Sequence, residues 1–223
     1  MGIPTAAFVD GLNLYHGLRD EGLLKFRWLD IERMAGSLAA DAGASLGMSL
    51  DVVRVVYCTS LVADDQAARR QDVYLQALEQ HCTRLAIRRG KYEPKVRMCA
   101  DCGAEVEFET EKQTDVNLAV EMVMDAVKPA GQRAEVHLLV TGDTDLIPAI
   151  RAVRAYGVEV VAIAPPARGR SRSSFAAVSS KTLRVRRRHL RDHPLPDPVV
   201  RMSCDGTEYP LRPPDSWAPP SDW

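Results

Sequence analysis

HLLVTGDTDL, His137 to Leu146, decides how the rest of the chain is read. Leu138 to Val140 is an apolar run of strand length, and Thr141-Gly142 ends it at a residue that lets the backbone turn sharply. Asp143 and Asp145 follow at once. Then Ile147, Ala149, Ile150, Val153 and Ala155 recur at helical spacing up to Gly157, which predicts a helix closed by glycine. A strand, a tight turn bearing carboxylates and a helix form one half of a parallel α/β unit. Open sheets of that class bind their ligands at the carboxyl ends of the strands, so this turn is a candidate metal or catalytic rim.

The N-terminal stretch TAAFVDGLNLYHGL repeats the arrangement. Ala6 to Val9 reads as a strand, Asp10-Gly11 ends it, and Leu12 to Leu18 starts a helix. Asp10 therefore holds the position on the first strand that Asp143 holds on the later one. Each aspartate has a bland reading as a helix cap. Asn13 is either a second capping group or a polar group aimed at the rim.

Strand and helix signals alternate along the chain. Residues 28–42 carry apolar residues at helical spacing with Asp30 as a cap, Leu50 to Cys58 is a β-branched strand, and Asp64 to His81 is a long polar helix. Thr83 to Ile87 and Val158 to Ala164 are further strands, and Asp115 to Val127 is a helix ended by Pro129. The alternation predicts an α/β fold with a mainly parallel central sheet and helices on both faces. Right-handed crossovers then place Asp10, Asp143 and Asp145 on one edge. Asp115, in the first turn of its helix, is either favoured there by the helix dipole or is a further member of the rim.

Residues 88–112 show no clear period and form an insertion holding Cys99-Ala100-Asp101-Cys102-Gly103. A C-x-x-C-G knuckle suits half of a tetrahedral zinc site. The partner pair is missing, so Zn²⁺ at Cys99 and Cys102 stands beside two alternatives, an ion shared across a homodimer and a plain hairpin turn. From Arg168 to Arg191 there are nine Lys and Arg residues and no acidic one, inside a chain of net charge -1 with 29 Lys plus Arg against 30 Asp plus Glu. Guanidinium groups suit phosphate oxygens, although any single arginine is more often a solvated flank. Eight of the 14 prolines fall after residue 193, which predicts an extended strap or loose end that Trp217 could anchor.

At 223 residues with 46% hydrophobic residues, the composition predicts one domain, residues 1–192, followed by a Pro-rich C-terminal tail, 193–223. The N-terminus has no basic segment ahead of a long apolar run, and no stretch reaches membrane-spanning length, so a cytoplasmic protein without a membrane partner is expected. Five unevenly spaced cysteines do not form a disulfide framework.

FVDGLN, EKQTDVNLAVEMVMDA and LLVTGDTDLIPAI, in that order, closely resemble the signature blocks of NYN-domain (DUF88, LabA-like) proteins, a branch of the PIN-like nuclease superfamily. The resemblance extends over most of the chain and implies a three-layer sandwich around a central parallel sheet. It maps an acidic site onto Asp10, Asp115, Asp143 and Asp145, with Asn13 as an accessory. Gln113 stands where the family usually has glycine, and Thr141-Gly142-Asp143 replaces the usual SGD or SND. Clustered carboxylates call for a divalent cation, and oxygen ligands favour Mg²⁺ or Mn²⁺.

The expectation is a metal-dependent nuclease in which Asp10, Asp143 and Asp145 ligate the ion directly or through water. Asp115 would ligate it or orient the nucleophile. Arg168, Arg170 and Arg172, with Lys91 and Arg97 from the insertion, would hold the phosphate backbone. Single-stranded RNA as substrate is what the resemblance implies. The rival readings are a non-catalytic RNA-binding module and a hydrolase of a small phosphorylated molecule. The DGLN after the first strand, in place of a D-x-D, counts against a phosphatase of the haloacid-dehalogenase type.

Overall fold

The computed structural model describes residues 2–61, 65–99 and 101–217. In chain order the elements are β1 (Ile3–Asp10), α1 (Gly11–Asp20), α2 (Ile31–Leu46), β2 (Leu50–Ser60), α3 (Asp65–His81), β3 (Leu85–Met98), β4 (Glu105–Lys112) and α4 (Thr114–Ala126). They continue with β5 (Val136–Val140), α5 (Ile147–Ala155), β6 (Glu159–Ala164), α6 (Arg172–Ala176), β7 (Lys181–Arg184), α7 (Arg187–Arg191), β8 (Val199–Met202) and β9 (Glu208–Leu211).

The main sheet is seven-stranded in the order β4-β3-β2-β1-β5-β6-β7. Only the edge pair β3–β4 is antiparallel, and every other pair in it is parallel. Side chains alternate across a strand, so neighbouring residues feed two separate cores. Ala7, Val9, Leu138 and Val140 face α1, α2, α3 and α7, while Ala6, Phe8 and Leu139 face α4, α5 and α6. This is the predicted α/β sandwich of the PIN-like kind, with helices on both faces. Because both sides of β5 are covered, its residues are buried throughout, which is why it reads as an unbroken apolar run.

Strand order reverses at the β1–β5 junction, where chain segments leave the sheet in opposite directions. That junction is the crevice in which such sheets bind ligands. Asp10 ends β1, and the Thr141 to Asp145 turn follows β5, so both carboxylate-bearing turns open into it.

One local expectation changes. Residues 88–112 are largely strand: β3 runs on past its parallel pairing with β2 and folds back on β4 as a hairpin arm. Lys95-Val96-Arg97-Met98 alternates polar and apolar at strand period, yet all four are exposed, so the period marks a strand here without marking a buried face. Of the two readings of the tail, the strap anchored by Trp217 is the one found, as far as residue 217. Leu195 N–H donates to Trp28 O (3.0 Å), Trp28 Nε1 donates to Pro196 O (3.0 Å), and Trp217 is buried against Tyr74. Asp30 caps α2 as expected, accepting from Arg33 N at 2.8 Å.

Gln113, just ahead of α4, has φ of 80°. That left-handed conformation is one a side chain resists and glycine does not, which gives the glycine usual at this place in NYN proteins a backbone reason. Gln113→Gly should therefore stabilise the protein by about 0.5–1 kcal/mol, the cost of left-handed strain less glycine's extra chain entropy. Urea denaturation checks this, and a lower midpoint would contradict it.

Candidate acidic active site

Asp10 is 1% exposed at the end of β1, where it caps α1. Its Oδ1 accepts from Asn13 N at 2.9 Å, and its Oδ2 accepts from Asn13 Nδ2 at 2.7 Å and from Thr141 Oγ1 at 2.9 Å. Burial raises its pKa above 3.8, the hydrogen bonds oppose that rise, and the nearby charge of Asp143 adds to it. Asp10 and Asp143 are thus close enough to feel one another.

Thr141 joins the two turns. Its buried hydroxyl donates to Asp10 and accepts from Asp143 N at 3.0 Å, and Asp145 N in turn donates to Asp143 Oδ1 at 2.9 Å. Asp143 is half-buried and Asp145 exposed, one step further out. In the sequence alone, Thr141 reads only as a turn residue. Its signal was a hydroxyl where the family's usual serine stands. Gly142 is also there for another reason than the one expected. It does not adopt a positive φ. Instead, a Cβ there would lie 2.8 Å from Arg168 Cβ and 3.1 Å from Asn13 Oδ1, so glycine permits close packing.

Asp115 comes to the same edge by a different tether. Ser60 Oγ and Thr114 Oγ1 share a buried hydrogen bond of 2.9 Å, fixing the start of α4 at the end of β2. Both Asp10 and Asp115 bear electrostatically on Cys58, which pairs with Asp10 in the sheet register. Burial, reinforced by these carboxylates, pushes the Cys58 thiol up to about 12, so it stays protonated at neutral pH and is no nucleophile.

The basic residues divide. Arg168 packs on Gly142 and pairs with Asp20 at 2.8 Å, which puts it on the rim. Lys91 pairs with Glu93 at 2.7 Å and lies opposite Lys112, just ahead of α4. Arg97 is exposed near the far end of the arm, on the order of 20 Å along the strand from Lys91. The side chains of Arg170 and Arg172 lie outside the described residues. Further along, Arg188 and His189 bind Asp41 and so fasten α7 to α2.

Cys99 and Cys102 sit at the arm's tip, where Gly103 N donates to Cys99 O at 2.9 Å in a tight turn. Among the described residues, no group of three or more His, Cys, Asp or Glu side chains is gathered closely enough to hold an ion. No third or fourth ligand for a closed tetrahedral zinc site stands at the knuckle among the described residues. Mg²⁺ has a different requirement: it keeps several waters and takes one or two carboxylates plus substrate phosphates. Asp10 and Asp143, joined through Thr141, are two carboxylates of the kind that second requirement needs.

No helix among the described residues is long and apolar enough to cross a membrane. The family model described as the NYN domain matches residues 4–183. A curated relative, 6-hydroxy-3-succinoylpyridine 3-monooxygenase HspA of Pseudomonas putida, is 25% identical over 96% of this chain and 75% of its own length. The crystal structure of a protein of unknown function from Vibrio parahaemolyticus aligns with a TM-score of 0.48 at 13% identity, covering 83% of this chain and 94% of that one.

Proposed function

The chain belongs to the NYN domain family, whose membership supports a nuclease-type hydrolase, and on that premise we propose that it is a Mg²⁺- or Mn²⁺-dependent ribonuclease acting on single-stranded RNA. The observation that carries the reading is the hydroxyl bridge from Asp10 through Thr141 to the turn of Asp143 and Asp145. It ties two distant parts of the chain together at the crevice where such sheets bind ligands, which supports a single anionic centre there.

In this reading Asp10, Asp143 and Asp145 would hold the ion directly or through water, and Asp115 would hold it or orient the attacking water. The chemistry such an ion would supply, when bound, is a lowered pKa for that water and stabilisation of charge on the phosphate and the leaving oxygen. Asn13 keeps Asp10 in place, because both of its nitrogens donate to that carboxylate. Arg168, with Lys91, Arg170 and Arg172, attracts the RNA backbone, so binding weakens as salt rises. Arg97 would reach only a longer substrate.

The direct test is incubation of the purified protein with a labelled single-stranded RNA and Mg²⁺ or Mn²⁺. Cleavage that chelator stops supports the reading, and intact RNA with either ion contradicts it. The name of the Pseudomonas relative supplies one control, 6-hydroxy-3-succinoylpyridine with a reductant under air. Its oxidation while RNA stays intact would overturn the nuclease reading.

Metal binding should also be visible as stability. Because the folded pKa of Asp10 lies above its unfolded value, its ionised form costs stability as pH rises past 3.8, and the cost is complete above the raised value. A cation beside it offsets that cost at neutral pH. At a hundredfold excess over its dissociation constant, Mn²⁺ should add about 2.7 kcal/mol, or about 5–10 °C in Tm for a chain of this size. The shift should vanish in Asp10→Asn, and scanning calorimetry with and without chelator measures it.

A further inference from the structure

Next to Asp10, a cavity of about 120 Å³ opens between α1, the end of β2 and α3, with the C-terminal strap as its remaining wall. Tyr15, Tyr57, Tyr74 and Trp217 supply rings, and Arg27 and Arg70 supply charge. Gly11, the residue after Asp10, is part of the lining, and Tyr57 is close enough to Asp10 to feel its charge. The cavity and the acidic rim are therefore neighbours.

The wall is rigid. Tyr74 donates to Leu29 O at 2.8 Å, its ring meets that of Trp217 edge-on at 5.9 Å, and the Arg27 guanidinium lies 4.8 Å above the Trp217 ring. Gln71 adds a fixed polar group through its bond to Ser60 O at 2.9 Å. Tyr15, at 37% exposure, is the wall's outermost ring. The volume is close to the ~150 Å³ of an apolar cavity that admits benzene, so the six-membered ring of a base fits, with the rest of a nucleotide outside it.

The charges point to what accompanies the ring. Arg27 and Arg70 face one cavity closely enough that Arg70, together with burial, lowers the pKa of Arg27. Among the described residues, no carboxylate is paired with Arg70. Like charges held together at a partly buried site repel, and an anion entering between them removes that cost.

We propose that this cavity is a nucleotide subsite, in which a base enters among Tyr15, Tyr74 and Trp217 while its phosphate meets Arg27 and Arg70. Stacking of a base on aromatic side chains strengthens binding about 10- to 100-fold whatever the base. The subsite's place in catalysis, holding the nucleotide beside the cleaved phosphodiester, rests on the nuclease reading. Binding itself needs neither metal nor Asp143.

Calorimetric titration in chelator, with uridine and adenosine monophosphates, uridine, ribose 5-phosphate and 6-hydroxynicotinate, tests it. Both monophosphates should bind, with uridine and ribose 5-phosphate each at least about 10-fold weaker. Arg70→Ala should weaken the monophosphates about 10-fold and leave uridine unchanged. Trp217→Leu should weaken uridine, and Asp143→Asn should bind as the wild type does. Equal binding of ribose 5-phosphate and the monophosphates, an unaffected Arg70→Ala protein, or preference for 6-hydroxynicotinate over every nucleotide would overturn the proposal. Nucleotide binding without RNA cleavage would remove the nuclease reading and leave the subsite standing, and cleavage without nucleotide binding would do the reverse.

Discussion

Asp143→Asn should reduce RNA cleavage on the order of 10³-fold while leaving the fold intact. The rate loss follows from charge: a neutral amide at this position removes one of the paired carboxylates that hold the cation, and single electrostatic groups in active sites are typically worth 10²–10³ in rate. The fold survives because the amide oxygen still accepts from Asp145 N, the bond that shapes the turn, and the side chain is only half-buried. A stability change within about 0.5 kcal/mol is expected, as for substitutions away from the core. Thr141→Val separates geometry from charge. It keeps both carboxylates but cuts the hydroxyl bridge, so activity should fall while metal-induced stabilisation persists in weaker form. Unchanged cleavage by Asp143→Asn would remove the acidic rim from the chemistry.

Asp125→Ala should have the largest effect on stability, with activity at permissive temperature little changed. The Asp125 side chain is 4% exposed and accepts from Lys128 Nζ at 2.7 Å, His137 Nε2 at 3.0 Å and Ala134 N at 3.1 Å. Arg54 Nη1 lies 3.7 Å away. Burial alone would raise its pKa, yet these donors, His137 and Lys128 foremost, together hold it well below the usual carboxylate range. Truncation strands a fully buried histidine whose Nδ1 already has no partner among the described residues, along with a buried backbone N–H. Breaking a buried pair in this way costs about 3–5 kcal/mol, or about 6–20 °C in Tm. The same carboxylate sets an acid limit. Its stabilisation is complete above the unfolded pKa near 3.8 and is lost as pH falls through the depressed folded value. Asp125 is ten residues along α4 from Asp115, about 15 Å by helical rise, so its loss does not touch the rim directly. Thermal denaturation as a function of pH checks both statements.

What the sequence revealed depended on how local the determinant was. The runs ending in Asp10 and Val140 carried their own turn and helix signals, so the strands, their direction and the placing of carboxylates at one sheet edge could be read directly. Gln113 showed a departure from the family pattern whose backbone meaning, a left-handed φ, needed coordinates. The β3–β4 arm does alternate, in Lys95-Val96-Arg97-Met98 and Glu105-Val106-Glu107-Phe108, but both runs are short and lie between Pro94 and charged residues, so the period does not stand out over 88–112. Gly142 was read as a conformational need, yet its constraint comes from Asn13 and Arg168, groups distant in sequence. Thr141 was passed over because its acceptor, Asp10, is 131 residues away. The aromatic cavity was invisible for the same reason: Tyr15, Tyr57, Tyr74 and Trp217 carry no common spacing and meet only once the strap closes over α3.

The central claim is that the turns after β1 and β5 together capture a divalent ion. Mn²⁺ soaked into crystals, located by anomalous scattering, tests it most directly. The account predicts one peak in the crevice between β1 and β5, about 2.1 Å from a carboxylate oxygen of Asp10 or Asp143, or one water removed from it. A crevice without anomalous signal at Mn²⁺ concentrations that support RNA cleavage, or a peak confined to another part of the molecule, would contradict it.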